Sequence, residues 1–240
     1  WKAGGSDVLN ENGTIDSQVS ANADAGFSIV SYTGTGSNAT VGHGLSVTPE
    51  MVIVKNRNYV ANWACLHSGI ASDYETDYIP LNNATTSWDN NAYWNDTKPT
   101  NSLFSVGTDN DVNRSGDAHI AYCFHSVDGY SKVGSYTGNG STNGTFVYTG
   151  FRPAYVMVKD YTVSGEGWFI RDSVRDTYNV MDSTLRANNS NAESSTSVHY
   201  ADFLSNGFKF RTSGDGANSG SRSYIYLAFA ENPFKYTNAR

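Results

Sequence analysis

The clearest pattern along the chain is a series of short apolar segments separated by Gly and Asn. Residues 51–55 and 155–159 are apolar runs that end in Lys, and such runs are typical of strands covered on both faces. Residues 118–124 and 223–229 alternate instead, and a period of two places one face of a strand in a core. Turn-forming pairs between the segments, such as Asn139-Gly140, favour short connections. The predicted core face of the alternating strands comprises Ile120, Tyr122, Phe124, Ile225, Leu227 and Phe229.

The apolar segments occur twice in the same order. The motif Tyr32-Thr33-Gly34 returns as Tyr136-Thr137-Gly138, and Trp63 returns as Trp168. Collinear matches with at most one residue of drift indicate a tandem duplication. A feature present in both copies is therefore interpreted as scaffold, and a feature present in one copy as a candidate for function. Further matches at offsets of 104 or 105 residues join Pro49 to Pro153, 52–55 to 156–159, Phe104 to Phe208 and 120–124 to 225–229.

The predicted fold is all-β, with two tandem β-sandwich repeats of about 104 residues, jelly-roll-like or lectin-like, packed together. The predicted boundaries are a lead-in segment at 1–26, repeat one at 27–129 and repeat two at 130–240. The alternative is one larger sandwich with internal pseudo-twofold symmetry. The short link near 125–131 favours two closely packed units over units joined by a flexible spacer.

Composition narrows the range of partners. Only 16% of the residues are charged and the formal net charge is −7, without the Lys/Arg cluster that phosphate binding needs. Nucleic acid is therefore not an expected partner. No run approaches the roughly 20 apolar residues that cross a bilayer, so membrane insertion is not expected. Cys65 and Cys123 each lie in a predicted strand and are interpreted as buried thiols, with a disulfide as the alternative.

One segment of copy one, SWDNNAYWND, combines aromatic rings with amides. It holds the rings Trp88, Tyr93 and Trp94 and the amides Asn90 and Asn91. Flat rings stack on the apolar face of sugars while amides bond the hydroxyls, so these five residues are predicted to bind carbohydrate. The corresponding region of copy two has no Trp, which favours a function specific to copy one. The alternative is that one or more rings pack in the core or against a neighbouring subunit.

A second segment, DNDVNRSGD, has oxygen-bearing side chains at nearly every second position. Asp109, Asp111, Asn113 and Asp117 resemble the start of a calcium loop, although the Glu that closes such a loop is absent. The favoured interpretation is a polar hairpin loop, so no cofactor is expected. The alternative is a calcium site in which these four residues are the metal ligands.

The chain is not expected to be an enzyme. A glycosidase needs two carboxylates facing each other, and the six Glu residues are scattered along the sequence. The sequence also lacks a Gly-x-Ser-x-Gly elbow and a phosphate-binding loop.

Several longer motifs carry a family resemblance. They include WKAGGS at 1–6, AGFSIVSYTGTG at 25–36, FVYTGFRPAYVMVK at 146–159 and IYLAFAENPFKYTNAR at 225–240. Together they resemble an uncharacterised domain near the C-termini of tail and tail-fibre proteins of marine tailed bacteriophages, often found beside concanavalin A-like lectin modules. The resemblance covers essentially the whole chain. It implies a place on the virion surface, contacts with other virion proteins and a homo-oligomer, most simply a trimer.

The resulting functional expectation is host attachment by a virion appendage that recognises cell-surface carbohydrate or another envelope receptor. One alternative is a purely structural module of a virion, fibre or filament, without a receptor. Another is a polysaccharide depolymerase, which would require an exposed groove with paired carboxylates.

Overall fold

The computed structural model describes residues 3–232. About 42% of the chain is strand and 6% is helix, and the sheets are antiparallel, so the predicted all-β sandwich class is confirmed. Two compact units are present. Unit one holds the residues up to Leu81 together with Ser87–His125, and unit two holds Asn82–Thr86 together with the residues from Ser126 onward. The motif residues 1–2 and 233–240 lie outside the described part of the chain.

Unit one is built on an eight-stranded sheet with the strand order β1-β2-β3-β10-β5-β6-β7-β8. A separate two-stranded sheet pairs β4 with β9, and two four-residue helices, α1 (Asn91–Trp94) and α2 (Asn110–Asn113), follow β8 and β9. The strands are β1 (Val8–Asn10), β2 (Ser17–Asn22), β3 (Phe27–Thr33), β4 (Ala39–Gly42), β5 (Met51–Asn56), β6 (Trp63–His67), β7 (Asp77–Pro80), β8 (Trp88–Asp89), β9 (Leu103–Val106) and β10 (Ala118–Phe124). A 3-10 turn at Ala23–Ala25 joins β2 to β3.

Unit two has a six-stranded sheet with the order β11-β19-β13-β14-β15-β16 and a three-stranded sheet with the order β12-β18-β17. A 3-10 turn at Ser197–His199 precedes β17. The strands are β11 (Ser131–Thr137), β12 (Phe146–Tyr148), β13 (Pro153–Asp160), β14 (Trp168–Asp172), β15 (Ser183–Arg186), β16 (Ser194–Ser195), β17 (Ala201–Leu204), β18 (Gly207–Phe210) and β19 (Ser223–Ala230).

The main sheets of the two units share one topology. The order β3-β10-β5-β6-β7-β8 in unit one is repeated as β11-β19-β13-β14-β15-β16 in unit two. The register is repeated as well, since Val54 lies opposite Ala121 in unit one and Val158 lies opposite Tyr226 in unit two. Six consecutive strands of the unit one sheet are therefore repeated in unit two, whereas β1 and β2 are additional strands of unit one.

Each unit packs its main sheet against its smaller sheet around a separate apolar core. In unit one, Val30 and Val54 of the main sheet share a cluster with Val41 and Phe104 of the β4–β9 pair. In unit two, Tyr136, Val158 and Tyr224 share a cluster with Val147, Phe203, Phe208 and Phe210 of the smaller sheet. This arrangement is a sandwich with unequal layers.

The predicted core face of the last strand in each copy is only partly right: Phe124, Ile225 and Leu227 are buried, whereas Ile120, Tyr122 and Phe229 are partly exposed. The core cluster of unit one takes Ala121 and Cys123 from β10, and that of unit two takes Tyr224, Tyr226 and Ala228 from β19. Alternation shows that two faces differ but not which face is the core. In unit one, large rings such as those of Trp94 and Phe104 fill the interior, so small side chains on β10 complete the packing.

Both cysteine side chains, those of Cys65 and Cys123, are buried free thiols. Burial raises the pKa of the Cys123 thiol to about 12, so this group stays protonated and packs as a small apolar side chain. Among residues 3–232, no helix is both long and apolar enough to span a bilayer.

Candidate functional site: an aromatic edge of unit one

The segment predicted to bind carbohydrate lies at one edge of the main sheet of unit one. Trp88 and Asp89 form β8, which pairs with Tyr78 and Asp77 of β7. The chain then turns into helix α1, because the Asn90 side chain accepts a hydrogen bond of 3.1 Å from the backbone N–H of Ala92. Asn90 therefore serves as a helix cap, while Asn91 in the first turn is exposed.

The three rings do not form a common surface. Trp94 is fully buried, at 0% exposure, and Tyr93 is buried beside it in the core cluster of unit one. Neither ring can present a face to a sugar, so these two residues are removed from the predicted site. Trp88 is 50% exposed and remains as the surface aromatic. A single helical turn carries Tyr93 and Trp94 inward while the preceding edge strand leaves Trp88 outside.

Trp88 packs on a row of two further aromatic rings, Tyr78 and Tyr93, which we call the ladder. The Trp88 ring meets Tyr78 edge to face, with centroids 5.8 Å apart, and Tyr78 stacks on Tyr93 at 3.5 Å with the planes 8° apart. Burial raises the pKa of the Tyr93 phenol, with the Tyr78 hydrogen bond and the Asp111 charge acting in the same direction. The protonated phenol donates a hydrogen bond of 2.9 Å to Asp111 Oδ2. The exposed indole is thus anchored through two further rings to a buried carboxylate.

Asp111 is fixed in turn by Asn62. The Asn62 backbone N–H donates to Asp111 Oδ1 and its side-chain amide donates to Oδ2, both at 3.0 Å. With the phenol of Tyr93, these bonds give the carboxylate three protein donors in a buried setting, which satisfies its charge. The base of the ladder is therefore a rigid polar cluster.

Two carboxylates lie on the other face of the same edge, because successive residues of a strand point to opposite faces of the sheet. Asp77 and Asp89 lie directly opposite each other across the β7–β8 pair. Burial raises the pKa of Asp77, and the neighbouring charges of Asp89 and Asp73 add to this effect. The edge therefore presents an indole on one face and two carboxylates on the other, and the indole is suited to a ligand with an apolar face.

The four candidate calcium ligands have separate structural roles. Asp109 caps α2 by accepting a 2.8 Å bond from the Asp111 N–H, and Asp111 holds the ladder. Asp117 accepts a 3.0 Å bond from the Asn56 amide and pairs with Arg114 at 3.2 Å. Across residues 3–232 there is no cluster of three His, Cys, Asp or Glu side chains placed to hold a metal ion. The loop is a capped helical turn.

Asn113, the fourth of these residues, is a scaffold residue that the sequence pattern did not identify as one. Its amide donates to the carbonyl oxygens of Ser37 and Gly107 at 2.6 and 2.7 Å. Asn218 in unit two makes the matching pair of bonds, to Ser141 and Thr212, both at 2.9 Å. The two asparagines lie 105 residues apart, and this repetition was the signal that could have identified them as scaffold.

Tyr78 was also missed as a part of the site. It precedes Trp88 by ten residues, and only the β7–β8 register brings it opposite Trp88. Cross-strand register at a two-residue edge strand depends on the fold around it.

The fold and the site define the class of this protein by its architecture: a duplicated all-β module with an aromatic edge on one copy. The chain belongs to the family described as Domain of unknown function (DUF7483), whose family model matches residues 1–233. Comparisons with curated proteins and with solved structures gave no match.

Proposed function

We propose that the protein is a carbohydrate-recognition module of a virion appendage and that it contacts host-surface glycan through the Trp88 edge of unit one. The observation that supports this proposal is the half-exposed indole held by the Tyr78–Tyr93 ladder. Single exposed aromatic residues are common on protein surfaces, so it is the fixed position of the Trp88 ring, and not its exposure alone, that favours a ligand. A ring already fixed in place loses little conformational freedom on binding.

The chemistry of the edge suits a neutral or hydroxyl-rich sugar. The C–H groups on one face of a pyranose pack on the exposed indole of Trp88. Such a site is shallow and its affinity is modest. Several copies on one particle multiply that affinity without any new contact.

The biological setting rests on the resemblance to phage tail and tail-fibre proteins. In that setting the module lies on the virion surface, contacts other virion proteins and forms a homo-oligomer, most simply a trimer. It acts by binding and not by catalysis, without nucleic acid, membrane insertion or a cofactor.

The test compares wild type with Trp88→Ala on a glycan array and on host cells. We expect Trp88→Ala to weaken binding to the strongest array glycan by about tenfold, or about 1.4 kcal/mol. Trp88→Phe, which keeps a ring, should retain part of the affinity. Tyr148→Ala is the matched control, because Tyr148 is an exposed aromatic residue of unit two.

Equal binding by Trp88→Ala and wild type, with both folded, would overturn the assignment. Release of reducing sugar ends from the bound glycan would point to a depolymerase, in which Asp77 and Asp89 become the carboxylates to replace.

A structural role is the second candidate, favoured by one loop of unit two. Val174 and Tyr178 are each 85% exposed in the turn between β14 and β15. Exposed apolar side chains of this kind are typical of contacts between subunits. A Val174→Ser, Tyr178→Ser double variant that turns an oligomer into a monomer in sedimentation velocity would support assembly through this loop. An unchanged oligomeric state would remove the loop from consideration.

A further inference from the structure

A buried arginine in unit two occupies a position that unit one fills with leucine. Arg171 lies on β14 at 1% exposure, and 105 residues earlier the repeated strand β6 carries Leu66, a core residue. The Arg171 Nε–H donates to the carbonyl oxygen of His199 at 2.9 Å. Nη1 and Nη2 are buried and have no hydrogen-bond partner among the described residues. The core of unit two thus contains a guanidinium with two unused donor nitrogens.

Two neighbouring side chains share this property. The β14–β15 register pairs Ile170 with Leu185, which places Thr184 opposite Arg171. Thr184 Oγ1 and His199 Nδ1 are both buried without a partner in residues 3–232. Eight buried side-chain polar atoms in that range lack partners, and four of them belong to these three residues. Such atoms are rare in folded proteins, so four of them on three adjoining residues indicate one common partner that is not part of the chain.

The local charge is positive. The Arg186 guanidinium lies 4.6 Å from the centroid of the Phe169 ring, and the His199 ring packs on Phe169 at 4.2 Å. Burial, together with the charges of Arg171 and Arg186, lowers the pKa of His199 to about 3, so the imidazole is neutral and has one N–H to donate.

No carboxylate neutralises Arg171 directly. Within residues 3–232 no Asp or Glu oxygen lies within 4.0 Å of its guanidinium. Asp176 is an acidic group whose field reaches Arg171, but its oxygens already accept from Asp182 and Ser183. The Phe210 ring packs against the Arg171 guanidinium, and its centroid lies 5.3 Å from the guanidinium carbon. A buried cation without a counter-charge is strongly destabilising.

We propose that Arg171, Thr184 and His199 bind one small oxyanion inside unit two. Nη1 and Nη2 form the fork that two oxygens of a carboxylate, sulfate or phosphate accept together. The Thr184 hydroxyl and the His199 imidazole supply further donors. Because the donor atoms are shielded from solvent, the ligand is a free small anion and not the end of a glycan chain. Its role is to stabilise unit two, and unit one has no equivalent because Leu66 fills that position with an apolar side chain.

The experiment is thermal unfolding in Bis-Tris chloride, titrated with acetate, sulfate or phosphate at constant ionic strength. A bound ligand stabilises the folded state by RT ln(1 + [L]/Kd), so we expect the Tm of wild type to rise and then saturate with at least one of the three anions. Sulfate and phosphate also stabilise proteins without binding, and that effect does not saturate. Arg171→Leu places the residue of unit one at this position. Its Tm should show only the rise that does not saturate with anion concentration.

Thr184→Val is the second variant, since it keeps the side-chain shape and removes the hydroxyl. We expect its Kd for the same anion to rise about tenfold, which corresponds to about 1.4 kcal/mol. It keeps the test decisive if Arg171→Leu does not fold. Identical saturation in wild type and both variants, or no saturable rise with any anion, would overturn the proposal and leave Arg171 hydrated by water alone. Trp88→Ala should leave the titration unchanged, so this result is independent of glycan binding.

Discussion

The hydroxyl of Tyr32 donates a hydrogen bond of 2.6 Å to the carbonyl oxygen of Val112, 80 residues further along the chain. Tyr136 makes the same bond in unit two, 2.6 Å to the carbonyl oxygen of Ala217 across 81 residues. Both bonds are buried, and each joins the first strand of its copy to the segment just before the last strand. The Tyr-Thr-Gly motif therefore recurs because it closes each sandwich, as its interpretation as scaffold requires.

Removal of either hydroxyl should destabilise its own unit. Tyr32→Phe and Tyr136→Phe each leave a buried carbonyl oxygen without a donor, and we expect each to lower the free energy of unfolding by about 1–3 kcal/mol in urea titrations. Tyr178→Phe is the control, because that side chain is almost wholly exposed. If both buried variants unfold at the wild-type urea concentration, the two bonds contribute nothing to closure.

The asparagine pair makes a second prediction that separates scaffold from metal binding. The Asn113 amide group donates to two carbonyls, and its Oδ1 accepts from the Thr35 N–H at 2.8 Å. Asn113→Asp replaces the two donors with a carboxylate that faces those carbonyls. We expect a loss of about 2–4 kcal/mol of stability at neutral pH, and a similar loss for Asn218→Asp in unit two.

Calcium distinguishes the two interpretations of Asn113. If Asn113 is a metal ligand, Asn113→Asp adds a negative charge to the site. Added calcium would then restore the stability of the variant or raise it above that of wild type. The scaffold role predicts the same unfolding curve with calcium and with a chelator. Restoration by calcium would return Asp109, Asp111 and Asp117 to the candidate metal site.

The sequence pattern predicted most of the strands and few of the contacts between them. The runs at 51–55 and 155–159 lie in β5 and β13. A short apolar segment bounded by turns is typical of a strand that is covered on both faces. The core face of β10 could not be predicted, since its even-numbered side chains are also apolar and partly covered. Apolar periodicity ranks two faces only when one of them is polar.

The local sequence also predicts the candidate site only in part. Composition directed attention to the Trp88–Trp94 segment, but one helical turn decides which rings lie inside. The support for Trp88 comes from Tyr78 and Asp111, which reach it through strand register and a side-chain hydrogen bond. Both relationships are long-range in sequence and have no local pattern.

The two tryptophans of this segment should differ sharply in their effect on stability. Trp94 is fully buried in the core of unit one, and Trp94→Ala leaves a large cavity. We expect a loss of about 3–5 kcal/mol, measured by urea unfolding. Trp88→Ala should cost less than about 1 kcal/mol, since half of the ring is already in solvent. Equal losses would mean that Trp88 is a core residue and not a surface ligand-binding ring.

A buried lysine supplies a prediction that depends on pH. Lys159 lies fully buried on β13, and its ammonium donates to the carbonyl oxygen of Asp160. Burial lowers the pKa of Lys159 to about 8, although the charges of Asp160 and Glu166 oppose this shift. The unfolded chain has the ordinary lysine pKa of about 10.4, so the unfolded state binds more protons between about pH 8 and 10.4. The contribution of this group to stability is unfavourable below pH 8 and diminishes as the pH rises through that window.

Lys159→Met should therefore stabilise the protein most at neutral pH. The linkage relation gives a gain of about 3 kcal/mol at pH 7 that falls to about 1 kcal/mol near pH 9.5, before any loss of packing or of the Asp160 bond. Burial raises the pKa values of Tyr136 and Tyr224, so neither phenol ionises in this range and confuses the comparison. Urea midpoints of wild type and variant at the two pH values provide the measurement. A gain that is equal at both pH values would show that the charge on Lys159 is not what destabilises the core, because only a shifted titration makes the difference depend on pH.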